Sequence, residues 1–189
     1  SIGNKSINEG ETLNFNVNAT DPDGDNITYS ITDKPSGANF NTSSGEFSWD
    51  TSLGDAGSYD VTFTASDGSL EDSETITITV GNVNQPPELD SIGNKSINEG
   101  ETLNFNVNAT DPDGDNITYS ITDKPSGANF NTSSGEFSWD TSLGDAGSYD
   151  VTFTASDGSL EDSETITITV GNVNQPPELD SIGNKSINE

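Results

Sequence analysis

Leu13, Phe15 and Val17 alternate with Asn14, Asn16 and Asn18, which gives one apolar and one wettable face along an extended chain. Ile27, Tyr29 and Ile31 repeat the pattern, as do Phe47 with Trp49, the run Tyr59, Val61, Phe63 and Ala65, and the run Ile76, Ile78 and Val80. A strand around Ile2–Ile7 and a short one near Phe40 bring the number to seven. Between them lie turn signals: Asp23-Gly24-Asp25, Lys34-Pro35-Ser36-Gly37, Ser43-Ser44-Gly45 and Asp67-Gly68. No window carries the helical period. Short strands joined by tight turns predict antiparallel pairing throughout and an all-β sandwich.

The pattern then recurs without a substitution. Ser1–Asp90 is repeated as Ser91–Asp180, and Ser181–Glu189 begins it again. A 90-residue unit can close one small core. The run Asn82-Val83-Asn84-Gln85-Pro86-Pro87 joins units, and its prolines fix φ and restrict the residue before them, so the linker is short and stiff. The expected domains are 1–85, 86–175 and the start of a third at 176–189, with linkers at 82–87 and 172–177. The chain has no initiator Met and stops inside a repeat, so it reads as an excerpt of a longer array.

Charge sharpens the picture. Against 5 Lys plus Arg stand 33 Asp plus Glu, a net charge of −28. Such a surface repels nucleic acid and anionic lipid and attracts cations. No apolar stretch reaches the roughly 20 residues of a membrane span, so no direct membrane insertion is expected in this segment. There is no Cys to staple the unit, and no His or Cys to serve catalysis. The expectation is a protein that is not an enzyme.

Two local motifs carry more. Asp55-Ala56-Gly57-Ser58-Tyr59-Asp60-Val61 has the form of the tyrosine corner of immunoglobulin-type sandwiches, in which the Tyr hydroxyl bonds back to upstream backbone. Asp21, Asp23 and Asp25 follow a strand at i, i+2 and i+4. In a loop these carboxylates can converge, and a hard divalent cation with many oxygen ligands relieves their repulsion; Ca²⁺ suits a flexible set better than Mg²⁺. The Gly position and the missing bidentate Glu set the loop apart from an EF-hand. The same residues are also ordinary turn formers, and acidic surfaces serve solubility.

Here the sequence resembles the cadherin repeat, and more closely the cadherin-like and immunoglobulin-like tandem repeats of bacterial and archaeal extracellular surface proteins. The matching stretches are Ile7-Asn8-Glu9, Ala19-Thr20-Asp21-Pro22-Asp23, Trp49-Asp50, Ala65-Ser66-Asp67-Gly68 and Asn82-Val83-Asn84-Gln85-Pro86-Pro87. The resemblance implies Ca²⁺ at the junctions between repeats. Glu9, Asp50, Asn82 and Asn84 would serve one junction with Asp111, Asp113 and Asp157. Glu99, Asp140, Asn172 and Asn174 would begin the next, while Asp21, Asp23 and Asp67 would face a preceding unit. The chain departs from the family pattern at Ser52, where a Glu is usual, and at Asn82 and Gln85, where Asp is usual, and the linker is one residue shorter. One or two ions per junction are therefore expected, with Asp25, Glu88, Asp90 and Asp115 as further candidate ligands.

Asn4, Asn18, Asn26 and Asn41 head N-glycosylation sequons, a pattern that Asn- and Thr-rich composition also produces by chance. Thr75, Thr77 and Thr79 form an outward row that reads as a wettable strand face. Trp49 and Tyr29 point inward and read as core. Together these expectations describe a calcium-rigidified stalk or fibril segment outside the cell. Its partners would be neighbouring repeats of the same chain and other copies in a filament or bundle. The alternative is an adhesion or carbohydrate-binding module of a microbial surface protein.

Overall fold

In the computed structural model, residues 1–181, 183 and 186 are described. The first strand expected of a third repeat falls largely at positions outside them. The chain divides into two compact units, Ser1–Gln85 and Pro86–Glu189.

The first unit contains β1 (Lys5–Asn8), β2 (Thr12–Asn16), β3 (Thr28–Thr32), β4 (Asn39–Phe40), β5 (Glu46–Asp50), β6 (Gly57–Ser66) and β7 (Glu71–Gly81). They form two sheets, ordered β1-β7-β6-β3 and β2-β5-β4. The second unit repeats this with β9 (Lys95–Asn98), β10 (Thr102–Asn106), β12 (Thr118–Thr122), β13 (Asn129–Phe130), β14 (Glu136–Asp140), β15 (Gly147–Ser156) and β16 (Glu161–Gly171). It adds a short antiparallel pair, β8 (Glu88–Leu89) with β11 (Ala109–Thr110). Both units are immunoglobulin-like sandwiches, and the described residues contain no helix.

Period-two alternation places the core. Phe47, Val61 and Ile78 are fully buried in the first unit, as are Phe137, Val151 and Ile168 in the second. Phe15 stacks on Phe47 across the β2–β5 ladder with centroids 4.9 Å apart, and both meet Phe63 of the opposite sheet edge-on. Trp49 is buried against Tyr59 at 5.0 Å in an edge-to-face pair. The tyrosine corner is present in both units: Tyr59 Oη donates to the Asp55 carbonyl, and Tyr149 Oη to that of Asp145, each at 2.8 Å.

One expectation fails. The other pairs are antiparallel, but β1 runs parallel to β7, with Lys5 opposite Ile78 and Asn8 opposite Gly81, and β9 runs parallel to β16 in the same register. Tight turns constrain only strands that follow each other directly in one sheet. After β1 the chain crosses to the other sheet to form β2, so β1 is free to lie alongside the last strand in the same direction. The strand also starts at Lys5, because Ile2 and Gly3 donate instead to the Glu74 carboxylate.

Gly45 is required where it stands. Its φ is +72°, and a Cβ there would come within 2.2 Å of the Val17 carbonyl oxygen. Val17 N in turn donates to the Gly45 carbonyl at 2.8 Å, closing the end of the β2–β5 sheet. The outward threonines are tied to neighbours on β6: Thr75 Oγ1 lies 2.8 Å from Thr62 Oγ1, and Thr77 Oγ1 donates to Asp60 at 2.7 Å.

Candidate metal centre

The acidic loop of the second unit begins directly after β11. Asp111 folds the chain onto itself: its Oδ1 accepts the N–H groups of Asp113 at 2.9 Å and Asp115 at 3.1 Å. Gly114, at φ +80°, donates to the Asp111 carbonyl at 3.2 Å. This turn brings the three carboxylates together, with one oxygen of each within 4.8 Å of the others. Asp111 Oδ2 is buried and has no hydrogen-bond partner. A buried charged oxygen without a donor is costly unless a cation meets it. An all-oxygen set with that deficit fits Ca²⁺. The first unit builds the same turn, with Asp21 Oδ1 accepting from Asp23 at 2.8 Å and Asp25 at 3.1 Å. Asp23 and Asp25 are exposed there.

Asp67 and Asp157 head a second turn. Oδ1 of each accepts two N–H groups, from Ser69 and Leu70 at 2.6 and 2.7 Å, and from Ser159 and Leu160 at the same distances. The N–H groups of Leu70 and then Ser69 hold the Asp67 carboxyl below its ordinary pKa. In the first unit Asp21 and Asp67 line one groove.

Glu9 and Glu99 are buried. Glu99 Oε1 accepts from the N–H groups of Gly144 (2.7 Å) and Ala146 (3.0 Å). Its Oε2 accepts from Val173 N (2.9 Å) and Asn172 Nδ2 (3.1 Å). These donors, Val173 foremost and then Gly144, lower its pKa. Glu9 likewise receives Gly54, Ala56 and Val83. Each Glu thus ties the tyrosine-corner loop to the exit of the last strand. This locking role was missed in the sequence, because its partners are backbone groups that no residue pattern marks.

The other candidates are spread over each unit. Asp50 and Asp140 are exposed and accept Thr12 and Thr102 hydroxyls at 2.6 Å across the ladder. Asn82, Asn84 and Asn174 are exposed, as is Asn172. Glu88 sits on β8, Asp90 N donates to the Asn108 carbonyl at 2.9 Å, and both side chains face solvent. Among the sequons, Asn4 Oδ1 accepts Thr77 N, and Asn41 Oδ1 accepts Ser43 and Ser44 N–H groups. Asn18 and Asn26 are exposed.

Two carboxylates went unnoticed in the sequence. Glu164 accepts Ile92 N at 2.7 Å and Gly93 N at 3.0 Å, and Asp162 accepts Leu89 N at 2.9 Å. Both lie on β16 and hold the incoming segment against the sheet. Their signal was an acidic start to an otherwise Thr/Ile strand.

The sandwiches, the tyrosine corner and the acidic turn define a tandem immunoglobulin-like repeat protein of cadherin-like type. The chain belongs to the family described as Putative Ig domain, which matches residues 1–81 and 86–171. It is similar to Chitinase A of Pseudoalteromonas piscicida, 33% identical over 117 residues that make up 60% of this chain. The match spans only 14% of that enzyme. In structure it resembles human protocadherin-24 EC1-2, with a TM-score of 0.57, 19% identity and coverage of 89% of this chain and 95% of that one. A second crystal structure of the same protein gives 0.52 at 17% identity, covering 93% and 95%. These likenesses speak to the fold.

Proposed function

We propose that this chain is a non-catalytic spacer, a stretch of extracellular stalk or fibril whose identical units bind Ca²⁺ at their acidic turns. The observation that carries the reading is the convergence of Asp111, Asp113 and Asp115 around a buried, partnerless Asp111 oxygen. Asp111, Asp113 and Asp157 would hold the ion in the second unit, and Asp21, Asp23 and Asp67 in the first. By resemblance, Glu9, Asp50, Asn82 and Asn84 would complete one junction, and Glu99, Asp140, Asn172 and Asn174 the next. Asp25, Asp115, Glu88 and Asp90 would be auxiliary. The ion would neutralise clustered charge and couple the turn to the folded state by mass action. Extracellular modules bind Ca²⁺ at about 10⁻⁴–10⁻³ M, which suits external fluids. The units of the array would run 1–85 and 86–175, with a third starting at 176. Lateral association of copies in a bundle belongs to the same reading.

The test is thermal unfolding of the chain with 10 mM Ca²⁺ and with chelator. A site of about 1 mM gains roughly 1.4 kcal/mol at that concentration. That shift moves the melting temperature of such a domain up by roughly 5–10 °C. Asp111→Asn with Asp113→Asn should remove the shift for the second unit. Identical curves with and without chelator would sink the calcium reading.

The likeness to Chitinase A favours a second reading, an accessory domain that binds carbohydrate. Retention of the chain on chitin beads, independent of Ca²⁺, would support it over the spacer.

A further inference from the structure

The outer face of the three-stranded sheet carries side chains that the fold itself does not use. Across its ladders Ser48 stands between Asn14 and Asn39, and Glu46 stands opposite Asn16. Asn41 N donates to the Glu46 carbonyl at 2.9 Å, which extends the β4 ladder by one residue and sets Asn41 beside Glu46. The result is two rows, Asn14–Ser48–Asn39 and Asn16–Glu46–Asn41. Phe15, Phe47 and Phe40 alternate with them and pack on the core, so all six face outward. The second unit repeats the rows as Asn104–Ser138–Asn129 and Asn106–Glu136–Asn131.

Ser48 is short and half-buried between taller neighbours, so the rows leave a groove. Asn39, Asn41, Glu46 and Ser48 line it in the first unit, at ≈ 530 Å³. Asn129, Asn131, Glu136 and Ser138 line its equivalent in the second, at ≈ 370 Å³. Among the described residues, no hydrogen bond engages the side chains of Asn14, Asn16, Asn39, Glu46 or Ser48. Asn41 spends only its Oδ1, on the Ser43 and Ser44 N–H groups, and keeps its amide donors. The next row along β5 is closed already, because Thr12 donates to Asp50 at 2.6 Å. The groove thus offers amides, a hydroxyl and a carboxylate over a patch of about 10 by 7 Å. No lysine lines it, and the ring of Phe40 is turned to Phe63, 5.4 Å away.

We propose that this groove binds a neutral oligosaccharide, with one such site in each unit. Sugar hydroxyls both donate and accept, and neighbouring pairs of them match the forked amide of Asn and the two oxygens of Glu46. The carboxylate, the lack of a lysine and the net charge of −28 turn anionic sugars away. A protein partner would find no exposed apolar anchor there. The site rests on the carbohydrate reading above and gives it a location. With hydrogen bonds alone and no ring to stack on, each groove holds a short sugar weakly, with a dissociation constant on the order of 1 mM. A polymer that meets several grooves gains by avidity. None of the six residues belongs to the acidic turns, so binding persists in chelator.

The test follows amide NMR shifts of the whole chain, in chelator, during titration with cellotetraose and with chitotetraose up to about 10 mM. At least one sugar should move the side-chain amides of Asn14, Asn16 and Asn39 with their equivalents, and the backbone amides of Ser48 and Ser138. Asn39→Ala with Asn129→Ala should weaken binding about fivefold. Ser48→Leu with Ser138→Leu fills both grooves and should abolish it. Thr75→Ala with Thr165→Ala, on the opposite sheet, should leave it unchanged. A sulfated tetrasaccharide should bind at least about tenfold more weakly. Shifts from neither neutral sugar overturn the proposal; retention on chitin beads would then show the carbohydrate reading standing without it. Shifts that gather elsewhere, or binding that survives Ser48→Leu with Ser138→Leu, overturn the site and leave that reading intact. Tighter binding of the sulfated sugar overturns the neutral class.

Discussion

Single residues show how a chain with no disulfide, no metal cage of EF-hand type and few apolar side chains fixes its loops. Glu99 receives three backbone N–H groups and one side-chain amide within 3.1 Å. Because these donors favour the ionised form, its folded pKa lies below the unfolded one, led by Val173. The sign follows. The stability it contributes is complete above the ordinary carboxylate range and is lost as pH falls through the depressed folded value. Asp67, lowered by Leu70 and Ser69, acts in the same direction. Melting temperature should thus fall on acidification below about pH 4.5. Glu99→Gln should lower it by roughly 5 °C at pH 7 and flatten its fall with acid, since the shifted group is gone. A pH profile unchanged by the substitution would deny Glu99 this role. Gly45→Ala should be harsher, destabilising by roughly 2–5 kcal/mol as backbone strain and the Val17 clash add, measured by urea unfolding.

At the level of elements, the alternation of Leu13 and Phe15, of Phe47 and Trp49, and of Ile76, Ile78 and Val80 was enough to place strands and faces. Period two survives wherever one face is buried. The tyrosine corner and the acidic turn were equally legible, because each is a local arrangement written in consecutive residues. What escaped were features that depend on which distant segments meet. Parallel pairing of β1 with β7 is one, and capture of the incoming chain by Glu164 and Asp162 is another. The Glu9 and Glu99 locks belong with them: the residues were singled out, but as ligands, and their bonds run to backbone 45 and more positions away. The corner itself offers a measurement. Tyr59→Phe keeps the ring against Trp49 and removes only the hydroxyl bond to Asp55, so it should cost about 1 kcal/mol by denaturant unfolding. A loss several times larger would mean that the ring packing had also changed.

For the whole molecule, the residues ahead of a sequence repeat belong to its fold. Leu89 packs on the core of the second unit. Burying a leucine contributes about 1.5–3 kcal/mol when complete. Leu89→Ala should therefore lower the melting temperature of that unit by several degrees in calorimetry. An unchanged transition would contradict this account. The physical repeat thus begins at the prolines, five residues before the point at which the letters begin to recur.

The parallel β1–β7 pair has a consequence under load. These are the first and last strands of the first unit, and they are bonded side by side in the same direction from Lys5 opposite Ile78 to Asn8 opposite Gly81. Tension applied at the two ends of the unit enters β1 at its beginning and leaves β7 at its end. The ladder is then sheared along its length, and its bonds share the pull instead of opening one at a time. In a pulling experiment the unit should yield at this pair, and Ile7→Pro, which removes a donor on the same side of β1 from which Glu9 N–H reaches the Gly81 carbonyl, should lower the rupture force while the β6–β7 hairpin stays intact.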